Sequence, residues 1–252
     1  MPRKRKDAQF DFVNSTPKQM RRKKPINFNH LKEIKPLTEN QTLAFDAYEK
    51  GQNLFLYGCA GTGKTFIAMY LALKEILSDS NASYDKLYMV RSLVPTREIG
   101  FLPGDHDDKS NLYQIPYKNM VEHMFKMPDD PAYNMLYDNL KAQETISFWS
   151  TSFLRGTTLN NAIIIVDECQ NLNFHELDSI ITRVGTDCKI IFAGDVMQTD
   201  LVKTNERNGI LDFMKILEVM EEFTSIEFGT EDIVRSGLIR SYILSKMHMG
   251  FG

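Results

Sequence analysis

The chain has 252 residues, 42% of them hydrophobic and 25% charged, so it is long enough for one large globular domain with a buried core. No apolar run reaches the length of a membrane span, and the N-terminus lacks the apolar stretch of a secretory signal. The three cysteines, Cys59, Cys169 and Cys188, show no CxxC spacing, which argues against a disulfide framework or a zinc site. We therefore expect a cytoplasmic protein with no membrane partner.

The net charge of −3 conceals an uneven distribution along the chain. Residues 1–36 contain eleven Lys and Arg against three Asp and Glu, a net charge of +8, whereas the other 216 residues carry 19 against 30, a net charge of −11. The basic residues cluster at 3–6 and 21–24. We expect 1–36 to be a flexible arm that binds nucleic-acid phosphates, the alternative being a solvated tail that only keeps the protein soluble.

From residue 37 onwards the hydrophobic pattern alternates between helices and strands. Apolar residues at helical spacing follow the N-cap residue Thr38 and predict a helix up to Gly51. A buried strand is predicted over 53–57, a helix over 64–78 and a strand over 86–90. Residues 92–149 differ, because a loop rich in Pro, Gly and Asp leads there to two helices, 111–126 and 132–143, before a strand at 145–150. We expect 92–149 to be an insertion of loop and helices.

The second half of the chain returns to regular alternation. The apolar run 162–166 is typical of a central parallel strand that is covered on both faces. A helix over 174–184, a strand over 188–193, a helix over 206–221, a strand over 224–228 and a helix over 236–247 follow. This order predicts an α/β fold with a doubly wound parallel sheet, in which 37–252 form one domain.

One segment between the first predicted strand and the next helix matches a phosphate-binding loop at every fixed position of G-x-x-x-x-G-K-[ST]. In such loops the glycines let backbone N–H groups surround the phosphates, and the helix N-terminus adds a favourable dipole. The lysine reaches the β- and γ-phosphates of ATP, and the hydroxyl binds Mg²⁺. The expected ATP ligands are Gly58, Cys59, Ala60, Gly61, Thr62, Gly63, Lys64 and Thr65, with Thr65 also a Mg²⁺ ligand. Cys59 is either a reactive thiol or, as we favour, a small tolerated side chain.

Two carboxylates follow the apolar run 162–166. Asp167 and Glu168 stand where that strand ends, the edge at which open parallel sheets bind ligands. We expect Asp167 to hold Mg²⁺ through water and Glu168 to activate the water that attacks the γ-phosphate. The alternative is a strand that merely ends in surface acids.

Three further polar residues are candidates for the same site. Gln198 lies just past the predicted strand 188–193, where an amide can contact both the γ-phosphate and the attacking water. Gln41 precedes the first strand, and a Gln amide can pair with adenine. Arg235, at the start of the last predicted helix, is expected to stabilise charge in the transition state, although Arg240 competes for this role.

The order of several motifs resembles the PhoH-like family of phosphate-starvation-inducible ATPases, which are related to superfamily 1 helicase cores. The motifs are REIGFLPGD (97–105), LRGTTL (154–159), DECQN (167–171) and GDVMQTDL (194–201). The family usually has Ala at the position of Cys169. The resemblance implies a RecA-like core over 37–247, ATP hydrolysis, a link to RNA or single-stranded DNA, and the identity of Arg235 as the family's late arginine. It also implies a compact member, of the type frequent in bacteriophages, without the extra domains of many bacterial relatives.

These features predict an ATPase that acts on or is regulated by RNA or single-stranded DNA. One RecA-like domain leaves one side of the γ-phosphate open, so we expect a homo-oligomer, a hexameric ring, acting as a helicase or translocase. The alternatives are a monomer whose Arg235 folds back on its own nucleotide, and a nucleotide-switched regulatory module without motor activity. A kinase is disfavoured because Glu168 and Gln198 favour water as the acceptor. A nuclease is disfavoured because no second carboxylate cluster is evident.

Overall fold

The structure, a computed structural model, describes residues 30–78, 83–92, 106–151, 154, 156–195 and 204–249, with the backbone alone over 106–112 and 204–208. Its helices are α1 (Glu39–Glu49), α2 (Lys64–Ile76), α3 (His106–Met124), α4 (Asp130–Ala142), α5 (Phe174–Ile181), α6 (Thr204–Glu218) and α7 (Gly237–His248). Its strands are β1 (Asn53–Gly58), β2 (Lys86–Arg91), β3 (Ile146–Ser150), β4 (Ala162–Asp167), β5 (Cys188–Gly194) and β6 (Phe223–Phe228).

The six strands form one sheet in the order β3-β2-β4-β5-β1-β6, and every neighbouring pair is parallel. One face carries an apolar core shared with α1 to α4, and the other face carries a second core shared with α5 and α6. All six residues of β4 are buried, as its continuous apolar sequence predicts for a strand covered on both faces. The predicted doubly wound α/β fold of a P-loop NTPase is therefore confirmed.

The segment 92–149, which we expected as an insertion, contains an element of the sheet itself. Strand β3 pairs in parallel with β2, from Leu87 opposite Ile146 to Arg91 opposite Ser150, and forms one edge. Helices α3 and α4 are thus the connection between two adjacent strands. Helix α3 begins at His106, five residues before the predicted start.

The packed structure begins before residue 37. Leu31 is buried, and the Lys32 N–H donates to the Met124 carbonyl at 2.8 Å. The Ile34 N–H donates to the Tyr70 hydroxyl at 3.0 Å, which ties this segment to α2. Residues 30–36 therefore pack on the domain, and of the expected arm only 1–29 lie outside the described residues.

Helix α7 is the least packed helix of the described chain. It buries no side chain, and Leu238, Ile239 and Tyr242 are exposed, Leu238 to 85%. It lies beside the phosphate loop, because the Met247 Sδ atom is 3.5 Å from the Cys59 Sγ atom. No helix within the described ranges is both long and apolar enough to cross a membrane.

Candidate nucleotide-binding site

The loop from Gly58 to Thr65 connects β1 to α2 and is shaped by its glycines. Gly58 has a φ of 108°, and a Cβ there would lie 2.4 Å from the Phe228 carbonyl oxygen, so no other residue fits. Gly63 has a φ of 84° and caps the N-terminus of α2 in the left-handed conformation. The Cys59 N–H donates to the Phe228 carbonyl at 2.8 Å, and the Thr62 hydroxyl donates to the Cys59 carbonyl at 2.9 Å. These contacts hold the loop against β6 with the first turn of α2 behind it.

Lys64 folds over the loop that precedes it. Its ammonium donates to the carbonyls of Gly58 at 2.9 Å and Cys59 at 2.6 Å and is also 3.3 Å from the Thr62 hydroxyl oxygen. Burial lowers the pKa of Lys64 from its ordinary 10.5, while Asp195 and other nearby charges oppose that change. A buried cation held by neutral carbonyls is suited to exchange them for an anion, which compensates its charge.

The two predicted metal ligands are in direct contact. The Thr65 hydroxyl donates to Asp167 Oδ1 at 2.7 Å, across a sequence separation of 102 residues. Thr65 stands in the first turn of α2, and Asp167 is the last residue of β4 and is buried. The fold therefore brings the loop hydroxyl and the strand carboxylate together, as the sequence motifs predict.

Glu168 follows Asp167 in an uncommon backbone conformation, with φ 52° and ψ 41°. Its Oε2 accepts a hydrogen bond from the Gln170 amide at 2.6 Å, and the Gln170 Oε1 accepts one from the Asp195 N–H at 3.0 Å. Burial, and next the charge of Asp167, raise the pKa of Glu168 above its ordinary 4.5. A carboxylate whose pKa is raised in this way is a stronger base than a solvated one.

Helix α3 contributes to the site a side chain that the sequence analysis missed. The hydroxyl of Tyr117, which is 2% exposed, donates to Asp167 Oδ2 at 2.7 Å. Burial, and next the charge of Asp167, raise the pKa of Tyr117 well above its ordinary 10, so the hydroxyl stays protonated. The positive charge of Arg91 opposes this rise. Burial favours the neutral form of Arg91 and would lower its pKa. The interactions with Tyr117, Glu168 and Asp167 outweigh burial and raise the pKa.

Gln41 is buried, and its amide joins α1 to the phosphate loop. The Nε2 donates to the Thr62 carbonyl at 3.0 Å, and the Oε1 accepts from the Leu37 N–H at 2.7 Å. A Gln amide has two N–H donors and two acceptor lone pairs, so these contacts use half of its capacity. The expected adenine contact thus remains a prediction that this geometry permits.

The other predicted residues have different outcomes. Arg235 is exposed. A Cβ atom added at Gly61 would lie 3.0 Å from the Arg235 Cγ atom, so the Arg235 side chain lies over the phosphate loop of its own chain. Burial, and next Asp195, raise the pKa of Cys59 above its ordinary 9.0, which agrees with a small packed side chain better than with a reactive thiol. Gln198 lies outside the described residues.

Most of the predicted site residues line one cavity of about 580 Å³. Its polar end contains Lys64, Thr65, Asp167 and Glu168, with Gln170 and Asp195 beyond them. Its other walls are formed by Gln41, by Val234 and Arg235, and by a largely apolar group, Ile34, Leu37, Phe45, Phe66, Met120 and His123. Asp167 and Arg235 therefore line the same space although they are far apart in the sequence.

The residues present fit ATP and Mg²⁺. Mg²⁺ prefers hard oxygen ligands and is usually bound by one or two carboxylates together with phosphate oxygens, which matches the Thr65 hydroxyl and Asp167 carboxylate. Among the described residues there is no cluster of three or more His, Cys, Asp or Glu that would hold a metal without a phosphate. The cavity volume lies within the range of about 300–1,000 Å³ that small-molecule sites occupy.

A family model described as PhoH-like protein matches residues 33–245. The chain belongs to the PhoH-like protein family. A PhoH-like protein of Mycobacterium leprae is 32% identical over 213 residues, which are 84% of this chain and 58% of the relative. Protein PhoH of Escherichia coli is 31% identical over 202 residues, which are 79% of this chain and 54% of the relative. The chain therefore spans less than two thirds of the length of these bacterial relatives.

The solved structures that match this PhoH-like chain are only distantly similar to it. The large terminase of a thermophilic bacteriophage in complex with ADP is 10% identical with a TM-score of 0.47, over 84% of this chain and 50% of that one. The Bacteroides Pif1 helicase in complex with ADP-AlF4 is 17% identical with a TM-score of 0.40, over 86% of this chain and 46% of that one.

Two site residues outside the predicted set had a signal in the sequence. Tyr117 belongs to a helical stripe of buried residues with Val121 and Met124, at spacings of four and three. Gln170 lies two residues after Glu168, inside a motif that the family resemblance identifies. The stripe predicted only that α3 packs on the domain, because the spacing carries no information about which carboxylate lies opposite.

Proposed function

We propose that this PhoH-like protein is a Mg²⁺-dependent ATP hydrolase. The observation that carries the proposal is the 2.7 Å contact between the Thr65 hydroxyl and the Asp167 carboxylate, with Lys64 and Glu168 in the same cavity. This set combines a phosphate-binding loop, two metal ligands and a base placed next to them. A half-buried Glu168 with a raised pKa supports hydrolysis over nucleotide binding alone.

Each side chain has a distinct role in this proposal. Lys64 transfers its hydrogen bonds from the Gly58 and Cys59 carbonyls to the phosphates of ATP. Thr65 and Asp167 hold Mg²⁺, which when bound neutralises charge on the phosphates. Glu168 accepts a proton from the attacking water, and Gln170 keeps one of its carboxylate oxygens fixed. Gln198 senses the γ-phosphate, and Gln41 contacts adenine.

The proposed partner is RNA or single-stranded DNA. The basic residues of the N-terminal arm support this assignment, because a cationic tail binds phosphate backbones irrespective of sequence. The alternative is a regulatory module in which slow hydrolysis controls binding to RNA or protein. Stimulation of the ATPase rate by nucleic acid together with unwinding supports the motor, whereas binding that depends on the nucleotide without unwinding supports the module.

The proposed assembly is a homo-oligomer, a hexameric ring, with Arg235 at the subunit boundary. Arg235 is exposed at the mouth of the cavity, and the neighbouring α7 presents Leu238, Ile239 and Tyr242 without burying any side chain. An exposed apolar helix beside an exposed arginine is a suitable contact surface for a second copy. The competing arrangement is a monomer in which Arg235 serves the site that it already lies against.

The direct test is phosphate release from ATP by the purified protein, measured with Mg²⁺ and with EDTA, and with and without single-stranded RNA or DNA. The proposal expects turnover only with Mg²⁺ and stimulation by at least one of the two polymers. Nucleotide binding without turnover under every one of these conditions would overturn the hydrolase assignment. A mass measurement on the same sample distinguishes the ring from the monomer.

A further inference from the structure

Both carboxylate oxygens of Asp167 accept a hydroxyl proton, and the two hydroxyls come from different parts of the chain. Thr65, in the phosphate loop, donates to Oδ1 at 2.7 Å, and Tyr117, on α3, donates to Oδ2 at 2.7 Å. A carboxylate that projects from the end of a strand can rotate about its side-chain bonds unless both oxygens are held. Tyr117 therefore fixes the orientation of Asp167 from the side opposite to the phosphate loop.

Arg91 places a positive charge near the pair formed by Tyr117 and Asp167. It is the last residue of β2 and lies directly opposite Asp167 in the parallel pairing of β2 with β4. Its positive charge interacts with both Tyr117 and Asp167. An ionised carboxylate can only accept a hydrogen bond, so the hydroxyl proton of Tyr117 is directed to Asp167.

We propose that Tyr117 is a positioning residue for the metal ligand Asp167, acting through the hydrogen bond that it donates to Oδ2. The proposal rests on the ATPase function proposed above, because it is there that Asp167 receives its role as metal ligand. With Oδ1 held by Thr65 and Oδ2 held by Tyr117, the carboxylate keeps one orientation, in which it would hold the metal. Partners that orient a ligand in this way raise metal affinity without touching the metal.

The position of Tyr117 also makes α3 a wall of the nucleotide site. Met120 and His123, one and two helical turns further along, line the cavity. Tyr117 thus lies on the same helix as two residues of the cavity wall, and its hydroxyl contacts Asp167, which lines the same cavity.

The test is the binding of a fluorescent ADP analogue to wild type and Tyr117→Phe, first in EDTA and then with increasing Mg²⁺. In EDTA, Tyr117→Phe should bind the analogue as tightly as the wild type does. Mg²⁺ should raise the affinity of both proteins, but Tyr117→Phe should need about ten times more Mg²⁺ to reach half of that gain. This readout does not require turnover. If Tyr117→Phe reaches half of the gain at the same Mg²⁺ concentration as the wild type, the proposal is overturned.

Tyr133→Phe is the matched control. Tyr133 is a buried tyrosine of α4, and its hydroxyl donates to the α3 carbonyl of Lys118, next to Tyr117, so the variant perturbs the packing of α3 there without removing a hydrogen bond to Asp167. It therefore loses a comparable buried hydrogen bond and should keep the wild-type Mg²⁺ dependence, with thermal unfolding checking both variants. An equal change in Tyr133→Phe would assign the effect to packing and overturn the proposal. A wild-type affinity that does not respond to Mg²⁺ would instead contradict the proposed function, and the inference with it.

Discussion

Lys64 and Glu168 lie in one cavity, yet they should affect different steps. We expect Lys64→Ala to lose most of its affinity for ATP, because the ammonium contacts phosphates in the ground state. Glu168→Gln should bind ATP normally and lose about 10²-fold or more in kcat, because a general base acts in the transition state. Nucleotide titration and single-turnover hydrolysis separate the two effects.

Lys74→Ala is the control for the first variant. Lys74 lies on the same helix, and its ammonium is 3.8 Å from the exposed Glu49 carboxylate, away from the cavity. It should bind and hydrolyse ATP as the wild type does. Near wild-type turnover in Glu168→Gln would show that another group activates the water.

Gln170 links the base to the loop after β5. Gln170→Met loses the donor to Glu168 and the acceptor for the Asp195 N–H. We expect it to lower kcat by about tenfold while ATP binding is retained, because a hydrogen bond to a charged group contributes about 1.5–3 kcal/mol. Gln170→Glu keeps an acceptor for Asp195 but places a second charge beside Glu168, and should lower kcat at least as much. Steady-state kinetics on both variants give kcat and KM separately. A change in KM alone would assign Gln170 to nucleotide binding.

At the scale of elements, a short 3₁₀ helix (Thr230–Asp232) connects β6 to the segment that carries Arg235. The Asp232 carboxylate, 1% exposed, accepts from the Asn40 amide of α1 at 2.7 Å and from the Gly229 N–H at 2.9 Å. The Val234 N–H in turn donates to the Gly61 carbonyl at 3.2 Å. Asp232 therefore joins α1 to the 3₁₀ helix, and Val234 joins the following segment with Arg235 to the phosphate loop.

We expect Asp232→Asn to lower the free energy of unfolding by about 1–3 kcal/mol, because hydrogen bonds to a charged acceptor contribute about that much. Burial alone would raise the pKa of Asp232, but the hydrogen bonds, that from Asn40 foremost, outweigh it and hold the pKa below its ordinary 3.8. A lowered folded-state pKa gives stability that is complete above the unfolded pKa and is lost as the pH falls through the folded value. The difference in the free energy of unfolding between the wild type and Asp232→Asn should be constant from pH 7 to about pH 5 and shrink below pH 3.8.

Urea unfolding of both proteins across this pH range makes the measurement. Glu231→Gln, at the exposed neighbouring position, is the control and should leave the stability nearly unchanged. A difference that grows as the pH falls would contradict the assigned direction of the pKa.

At the scale of the whole molecule, the N-terminal arm and the rest of the chain carry opposite charges. Deleting residues 1–24 removes nine Lys and Arg. We expect weaker binding to single-stranded nucleic acid and a flatter dependence of log affinity on log salt, because fewer counterions are released. A full-length variant with these nine residues changed to Gln should match the deletion. An unchanged salt slope in both would assign the arm to solubility.

The proposed ring makes a further prediction about the whole assembly. Arg235→Ala keeps Glu168, and Glu168→Gln keeps Arg235, so each variant alone should be inactive. In a ring with shared sites, mixing them should restore part of the ATPase activity, because some sites then combine an intact Glu168 with a neighbour's Arg235. No recovery on mixing, together with a monomeric mass for active wild type, would favour action of Arg235 within its own chain.

The sequence by itself determined the fold class and the chemical centre of the site. The phosphate-loop pattern and the all-apolar strand before Asp167 each specify a local structure, because backbone conformation at glycines and burial of a continuous apolar run depend on nearby residues. The parallel sheet then requires the ends of β1 and β4 to lie at the same edge, so Thr65 and Asp167 meet. The strands and helices follow from the same periodicities, within a few residues at their ends.

Tertiary structure alone decided which side chains surround that centre. Tyr117 reaches Asp167 across 50 residues, and Gln170 reaches the Asp195 N–H across 25, and no spacing along the chain encodes either contact. The place of β3 at the sheet edge and the packing of residues 30–36 on α3 and α2 were likewise set by contacts between distant segments. The physical reason is the same throughout: local patterns determine conformation and burial, whereas the partner of a buried polar group depends on how whole helices pack against the sheet.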